Sequence, residues 1–273
     1  MACLRRIWGW LYPQPPALPR TLTSTGFPLL DPNAHVEEEL MPHYELANYF
    51  PVRLGDVLRE QYQVLKKLGY GANATGWFCH NLTIRENRYV AIKIYLYTAR
   101  ENREIKFLKH LSSIRSIHPG LKLVRAMVDH FELEGSKGLL HDLQRLLGLD
   151  RLHGALLKEA LIHLLTVLNY LHSEAHVIIP SKNIMIACKD PSFFEKLVED
   201  EEQTPSPRKV VGDNIAYRSH SLPHSSSRFQ GAWGIPLLSD FGETRVGDNH
   251  TGLIQPNLYR EPDVVLKMDG ARR

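Results

Sequence analysis

Three stretches in the first half of the chain are rich in residues that favour β-structure. They run from Val64 to Leu68, from Tyr89 to Tyr97, and from Leu123 to Glu132. The first two are bounded by turn-forming residues, and runs of this kind predict β-strands. A glycine-rich segment, residues 69–76, lies between these two predicted strands.

Two other stretches have the three-to-four-residue spacing of amphipathic helices. The spacing of Ile105, Leu108 and Leu111 predicts a helix over residues 100–111. The segment from Leu139 to His172 has an apolar stripe of period 3.6, which predicts a long helix whose stripe packs in the core. The stripe consists of Leu157, Leu161, Leu164, Leu165, Leu168 and Leu171.

Two segments lack this regularity. The leader, residues 1–43, carries three arginines but no acidic residue before Asp31. Its prolines prevent a long helix, and we interpret it as a disordered tail or, alternatively, as a mitochondrial transit peptide. Residues 189–234 combine the acidic run Glu199 to Glu202 with stretches rich in proline and serine. That composition predicts a mobile insertion.

Composition excludes several classes of protein. The 273 residues are 43% hydrophobic and 23% charged, which is ordinary for one large or two small globular domains and excludes collagen-like, coiled-coil and wholly disordered chains. A net charge of +3 gives no reason to expect direct nucleic-acid or membrane binding. The three distant cysteines, Cys3, Cys79 and Cys188, predict neither a disulfide framework nor a zinc site, and they favour a reducing compartment.

Three short motifs carry the chemistry. A Gly69-x-Gly71 turn follows a predicted strand, and glycines there let backbone N–H groups approach phosphates. Lys93 ends a Val-Ala-Ile-Lys sequence, and Glu104 lies one helix later as its potential carboxylate partner. Asp240 begins an Asp-Phe-Gly sequence after an apolar stretch, where an aspartate can chelate Mg²⁺. Each motif alone is weak, but their order along the chain is informative.

In this order the motifs resemble those of a eukaryotic protein kinase, and the chain looks closest to the SR-protein kinase group, particularly its fungal members. Further marks are the approach Pro51 to Asp56, Asp129-His130-Phe131, Tyr170-Leu171-His172 and the segment Ile254 to Arg260. The resemblance implies an α+β bilobal fold, with a β-rich N-lobe over residues 44–138 and a helical C-lobe over residues 139–273. The C-lobe would contain the insertion at about 189–234.

The resemblance also implies ATP-dependent phosphorylation of serine and threonine in proteins, including Ser/Arg-rich ones, with ATP and Mg²⁺ as cofactors. Lys93 would bind the α- and β-phosphates, Glu104 would orient Lys93, and Asp240 and Asn183 would each hold Mg²⁺. The full set of nucleotide-binding residues implied is Leu68, Gly69, Tyr70, Gly71, Ala74, Gly76, Ala91, Lys93 and Glu104. The protein is expected to act as a monomer in the cytoplasm or nucleus, with the mitochondrion as the alternative.

Four departures from the kinase pattern oppose catalysis. In the glycine loop, Ala74 replaces the third glycine and Gly76 the valine. Asn183 follows His172 by 11 positions, three fewer than in the resembling family, and no aspartate lies between them, so no residue fills the catalytic-base role. The interlobe hinge strand is expected to be missing between Gly135 and Leu139. The helices that complete the C-lobe are expected to be missing after Asp263.

Three hypotheses remain open. The first is an active serine/threonine kinase whose transcript restores the gaps, and the second is a pseudokinase that binds a protein partner. The third is a truncated product without function. The family assignment with inactivity of this chain is the interpretation that the sequence favours.

Overall fold

The structure is a computed structural model that describes residues 17–22, 25–84, 88–99, 102–133, 136–142, 147–148, 154–178, 184–188, 190–212, 214–220, 233–242 and 244–246. Several predicted features lie outside these residues. They include the first part of the leader, Asn183 with the residues just before it, and everything after Val246.

The N-lobe is built on one antiparallel six-stranded sheet with the order β1-β2-β3-β4-β6-β5. Its strands are β1 (Val57–Leu58), β2 (Tyr62–Gly71), β3 (Ala74–Asn81), β4 (Tyr89–Tyr95), β5 (Met127–Leu133) and β6 (Ser136–Asp142). The three predicted strands are confirmed in outline: the first lies within β2, the second extends two residues past the end of β4, and the third begins before β5, which starts only at Met127. The glycine-rich segment forms the hairpin between β2 and β3, with Gly71 paired to Ala74 at its tip.

Strand β6 corrects the prediction that the hinge strand is missing. It pairs with β4 on one side, where Ile92 faces Leu140, and with β5 on the other, where Phe131 faces Gly138. Residues of modest β-propensity occupy this place because backbone hydrogen bonds to both neighbours stabilise the strand. The sheet therefore continues past the predicted lobe boundary at residue 138, as far as Asp142.

The side chains of β4 lie on two different faces of the sheet, because successive side chains of a strand point to opposite faces. Val90, Ile92 and Ile94 pack on one face in a cluster with Trp77. The other face carries Ala91, Lys93 and Tyr95, and we call it the lysine face. Gly76 and Phe78 of β3 lie on the lysine face too, since they pair with Lys93 and Ala91.

Three helices complete the main elements: α1 (Arg103–Ser113), α2 (Gly154–Ser173) and α3 (Ser192–Gln203). Helix α1 confirms the first predicted helix, and it buries Ile105, Leu108 and Leu111 as expected. Helix α2 confirms only the second part of the helix predicted from Leu139 to His172, because residues 139–142 belong to β6 and residues 147–148 form a short strand. Its leucine stripe is not wholly core, because Leu161 and Leu165 are exposed. The buried side of α2 is offset toward Val167, Tyr170 and Leu171, which pack with α1.

Short strands bring the C-lobe segments together. They are β7 (Leu147–Gly148), β8 (Val177–Ile178), β9 (Ile184–Cys188), β10 (Arg208–Val211), β11 (Asn214–Tyr217), β12 (Trp233–Leu238) and β13 (Arg245–Val246). Strands β12, β9 and β7 form one sheet, and β13 pairs with β8. Leu238 and Phe241 pack in the same cluster as α1 and α2, which places the end of β12 beside α1.

The insertion is folded where the structure describes it, in contrast to the predicted mobility. Helix α3 buries Phe193, Phe194, Leu197 and Val198, and the hairpin of β10 and β11 follows it. These four apolar residues recur at helical spacing, so one side of the acidic segment is amphipathic despite its composition. The predicted mobility overlooked this buried face.

The leader is also ordered over residues 17–22 and 25–43, in contrast to a disordered tail. Lys67 of β2, which is almost fully buried, forms ion pairs with Glu37 at 2.8 Å and with Glu38. Lys209 of β10 forms a third pair with Glu39, at 2.6 Å. These pairs fasten the leader to the sheet and to the insertion. Within the described part of the chain, no helix is both long and apolar enough to cross a membrane.

Candidate nucleotide-binding site

The site is centred on the ammonium group of Lys93. Its Nζ lies 2.7 Å from Oε2 of Glu104 and 3.1 Å from Oδ1 of Asp240. The three side chains come from β4, from α1 and from the turn after β12, so they meet only when both lobes are in place. The side chain of Glu104 is 1% exposed, that of Lys93 is 29% exposed and that of Asp240 is 48% exposed. The cluster is therefore closed on the helix side and open on the aspartate side.

Glu104 is held by contacts that fix its carboxylate. Helix α1 begins after Asn102, whose side-chain oxygen accepts a hydrogen bond from the backbone N–H of Ile105 at 3.1 Å. This cap satisfies one of the free N–H groups at the start of the helix and places Glu104 in its first turn. The Tyr95 hydroxyl donates to Oε2 of Glu104 at 2.6 Å. The backbone N–H of Phe241 donates to Oε1 at 3.4 Å.

The Asp-Phe-Gly turn is anchored by its phenylalanine. Phe241 is buried, and its ring centroid lies 4.5 Å from that of Phe107 on α1. Asp240 has a φ of +57°, a left-handed conformation that is uncommon outside glycine. Such conformations cluster at functional sites, where the surroundings hold them. Here the packing of Phe241 and the contact with Lys93 hold Asp240 in place.

Electrostatics keep Lys93 charged. Burial by itself would lower the pKa of its ammonium group, but the carboxylates of Glu104 and Asp240 outweigh burial and raise that pKa above its ordinary value. The pKa of Tyr95 is raised as well, first by burial and then by the adjacent carboxylate of Glu104. Tyr95 therefore remains a hydrogen-bond donor, and Lys93 presents a full positive charge at neutral pH.

The glycine loop lies along one side of this cluster. Gly76 pairs with Lys93 across the sheet, and Gly69 pairs with Gly76. A Cβ on Gly69 would meet no atom within 4 Å, and the side chain of Tyr70 is 41% exposed. There is thus open space beside the backbone at Gly69, which close approach of a phosphate requires. Leu68, by contrast, packs against the apolar cluster that contains Ala91.

The structure thus brings together most of the predicted site residues. The glycine-loop residues, Ala91, Lys93 and Glu104 share one region of the sheet and α1, and Asp240 reaches it from the C-lobe. Asn183, the second predicted metal ligand, lies outside the described residues. Among the described residues, no group of three or more histidine, cysteine, aspartate or glutamate side chains is placed to hold a metal ion.

Comparisons with known proteins give the family. No family model matches the chain. A serine/threonine protein kinase of Aspergillus fumigatus is 46% identical over 268 residues, which cover 93% of this chain and 65% of that relative. SRSF protein kinase 3 of Mus musculus is 27% identical over 183 residues, which cover 60% of this chain and 32% of that relative. The chain is therefore a homologue of serine/threonine protein kinases, and its resemblance to SR-protein kinases is confirmed. It spans less than two thirds of the length of these relatives.

A solved structure supports the fold of this kinase homologue. The crystal structure of a kinase domain superposes with a TM-score of 0.56 at 19% identity, over 82% of this chain and 63% of that chain. The predicted α+β bilobal kinase fold is therefore confirmed.

Two site contacts of the kinase homologue were not predicted. Tyr95 stands two residues after Lys93 on the same strand, so the period-two rule could have placed it on the lysine face, but its bond to Glu104 depends on where α1 packs. The direct contact between Lys93 and Asp240 joins residues 147 positions apart, and no local sequence signal predicts a contact over that separation.

Proposed function

We propose that this chain is a serine/threonine protein kinase-like protein that binds ATP with Mg²⁺ at Lys93 and Asp240, and that it transfers phosphate at no more than a trace rate. The observation that carries the proposal is the shared ion pairing of Lys93 with Glu104 and Asp240. A charged lysine oriented by a buried glutamate, next to an open carboxylate, is the arrangement by which kinases hold nucleotide phosphates.

The residues fit both cofactors. Mg²⁺ prefers carboxylate oxygens, and Asp240 offers an exposed one. Lys93 offers a donor for phosphate oxygens, and the open space at Gly69 lets a phosphate approach the hairpin backbone. When bound, ATP supplies the transferable phosphoryl group. The protein orients it through Lys93, whose position depends on Glu104 and Tyr95.

Weak transfer follows from the sequence. No aspartate lies between His172 and Asn183, and Glu174 is the only acidic residue there. A positioned general base typically contributes roughly 10²–10⁴-fold to the rate, so its absence leaves binding without efficient chemistry. The name of SRSF protein kinase 3 supports a Ser/Arg-rich protein as the substrate or binding partner. A pseudokinase that acts through that partner is the second candidate, and it shares the same nucleotide site.

Titration calorimetry tests the binding proposal. Mg–ATP and Mg–tripolyphosphate are titrated into the wild-type chain, into Lys93→Met, and into the control Lys109→Met, which removes an exposed lysine of α1. We expect Lys93→Met to weaken both ligands about tenfold or more, because it removes a charge-assisted contact. Lys109→Met should have no effect. Equal binding by the wild type and Lys93→Met would refute the proposed site.

Phosphate transfer is measured separately. Radiolabelled transfer to an Arg/Ser-repeat peptide should not exceed that of an Asp240→Asn blank by more than a trace. Robust transfer that the blank lacks would contradict the predicted weakness and would restore the hypothesis of an active kinase.

A further inference from the structure

The lysine face of the sheet has two ends with different neighbours. At one end Tyr95 packs with α1. At the other end, Ala91 and Phe78 lie in one buried cluster with four residues of α3. Lys93 stands between the two ends. Helix α3 therefore covers the same surface of β4 on which Lys93 presents its charge.

The contact between α3 and the sheet is apolar at its centre. The α3 residues in the cluster are Phe193, Phe194, Leu197 and Val198. The ring centroid of Phe194 lies 6.3 Å from that of Phe78 and 6.2 Å from that of Tyr89. Phe78 and Ala91 are at most 5% exposed. An aromatic ring of the protein thus already occupies a flat apolar surface of the kind that a purine ring would need.

Polar contacts fasten α3 near both of its ends. Close to the start, the Tyr89 hydroxyl donates to Oε2 of Glu195 at 2.6 Å. Close to the end, Lys66 of β2 lies 3.2 Å from Oε2 of Glu201, and both side chains are nearly buried. Helix α3 is therefore docked in one register rather than resting loosely on the sheet.

The phosphate end of the site is not covered in this way. The Asp240 side chain is 48% exposed and Gly69 has open space where a Cβ would be. A cavity of about 280 Å³ does lie beside α3, but it is lined by Leu22, Glu201, Glu202 and the β10–β11 hairpin. None of the residues that line it is a predicted nucleotide-binding residue.

We infer that α3 is a built-in competitor of the nucleotide base: it covers the surface formed by Ala91, Leu68 and Phe78, while the phosphate end at Lys93 and Asp240 stays open. This inference rests on the proposed function, because it assumes that nucleotide phosphates bind at Lys93. A phosphate chain without a base reaches Lys93 and Asp240 without contacting α3. ATP binds with its base on the sheet only in the fraction of molecules whose α3 has moved away, and that fraction lowers its apparent affinity.

The test compares two ligands in three proteins. Mg–tripolyphosphate and Mg–ATP are titrated into the wild type, into Phe194→Asp, and into the control Gln203→Asp. Both variants add a carboxylate to α3, but Phe194 faces the sheet whereas Gln203 is exposed. We expect Phe194→Asp to tighten ATP binding by about tenfold or more and to change tripolyphosphate binding less than about threefold. Gln203→Asp should change neither. Equal changes for both ligands in Phe194→Asp would overturn the inference.

Hydrogen exchange of the wild-type chain gives a second measurement that needs no variant. Saturating Mg–ATP should increase amide exchange in residues 192–203, whereas Mg–tripolyphosphate should leave it unchanged. Unchanged amide exchange in both complexes would overturn the inference about α3 but would not contradict nucleotide binding at Lys93. If binding of both ligands is instead insensitive to Lys93→Met, the proposed function itself fails.

Discussion

Removing the carboxylate of Glu201 is the strongest single test of how the insertion docks on the N-lobe. This carboxylate lies 3.2 Å from the ammonium of Lys66 on the sheet. It also accepts hydrogen bonds from Ser206, at 2.6 Å from the backbone N–H and at 2.7 Å from the hydroxyl. Lys66 is 3% exposed, Glu201 is 6% exposed and Ser206 is fully buried. Three buried donors thus depend on one side chain.

Replacing Glu201 by alanine leaves these donors without their acceptor. Breaking a buried ion pair by removing one partner costs about 3–5 kcal/mol, since the remaining charge is uncompensated. A buried donor that loses its partner costs on the order of 1–3 kcal/mol, which applies to Ser206. We therefore expect Glu201→Ala to lower the free energy of unfolding by at least about 4 kcal/mol, a large part of the 5–15 kcal/mol typical of native proteins.

A double variant separates charge from packing. Lys66→Met with Glu201→Gln removes both charges but keeps an acceptor for Ser206. We expect it to unfold within about 2 kcal/mol of the wild type, because replacing a whole buried pair is often nearly neutral. The control is Glu202→Ala, since Glu202 is 45% exposed and lies 4.0 Å from Arg20. A surface pair of this kind is worth about 0–1 kcal/mol.

Urea unfolding followed by circular dichroism measures these differences, and limited trypsin digestion gives an independent readout. Arg208 and Lys209 follow α3 and are buried, so they should resist cleavage in the wild type and become sensitive in Glu201→Ala. The reasoning is refuted if Glu201→Ala costs no more than Glu202→Ala. Early cleavage of the wild type at Lys209 would likewise show that the insertion is not docked.

Two further predictions concern the sheet. Burial and the nearby charges of Arg20 and Arg88 lower the pKa of His80 from 6.5 to about 4, so the unfolded chain binds a proton in that window that the native chain does not. The free energy of unfolding should therefore fall by at most about 3 kcal/mol as the pH drops from about 6.5 to 4. Urea unfolding of His80→Gln should not show this fall. If the free energies of unfolding of the wild type and His80→Gln depend on pH in the same way, the prediction is contradicted. A Cβ on Gly138 would lie 2.5 Å from the ring of Phe131. Gly138→Ala should thus lower the free energy of unfolding by about 1–3 kcal/mol in the same assay. Adding Phe131→Leu to Gly138→Ala should recover part of that loss. If the effects of the two substitutions simply add in the double variant, the contact is contradicted.

The central site was predictable because each of its residues belongs to a local motif. Lys93 ends a strand sequence, Glu104 lies in the first turn of a helix, and Asp240 follows an apolar stretch. Each local signal also indicates the face on which a side chain lies, since strand and helix periodicity decide which side chains share a face. The order of the motifs then indicated the resemblance to protein kinases, which implied the pairing of Lys93 with Glu104 but not the contact of Lys93 with Asp240.

Two of the expectations that failed depend on tertiary contacts. Strand β6 contains Gly138 and a short polar start, so its sequence alone does not predict a strand, yet two neighbouring strands pair with it. Helix α3 was hidden by its acidic composition, although Phe193, Phe194 and Leu197 already had helical spacing. For α3, the average composition of the segment concealed a pattern of individual positions, whereas β6 depends on pairing with both of its neighbours.

The nucleotide binding that we propose and the phosphate transfer of kinases depend on separate parts of this fold. The contacts among Lys93, Glu104 and Asp240 require only β4, α1 and the turn after β12. The aspartate that a kinase uses as a base would come from the segment between His172 and Asn183, which is three residues shorter than in the resembling family and contains no aspartate. Lys93, Glu104 and Asp240 therefore lie outside the shortened segment, whereas Asn183, the second expected Mg²⁺ ligand, stands at its end. Because α3 covers only the apolar end of the same face, the competition with the nucleotide base that we infer would act on ATP binding whether or not the chain transfers phosphate.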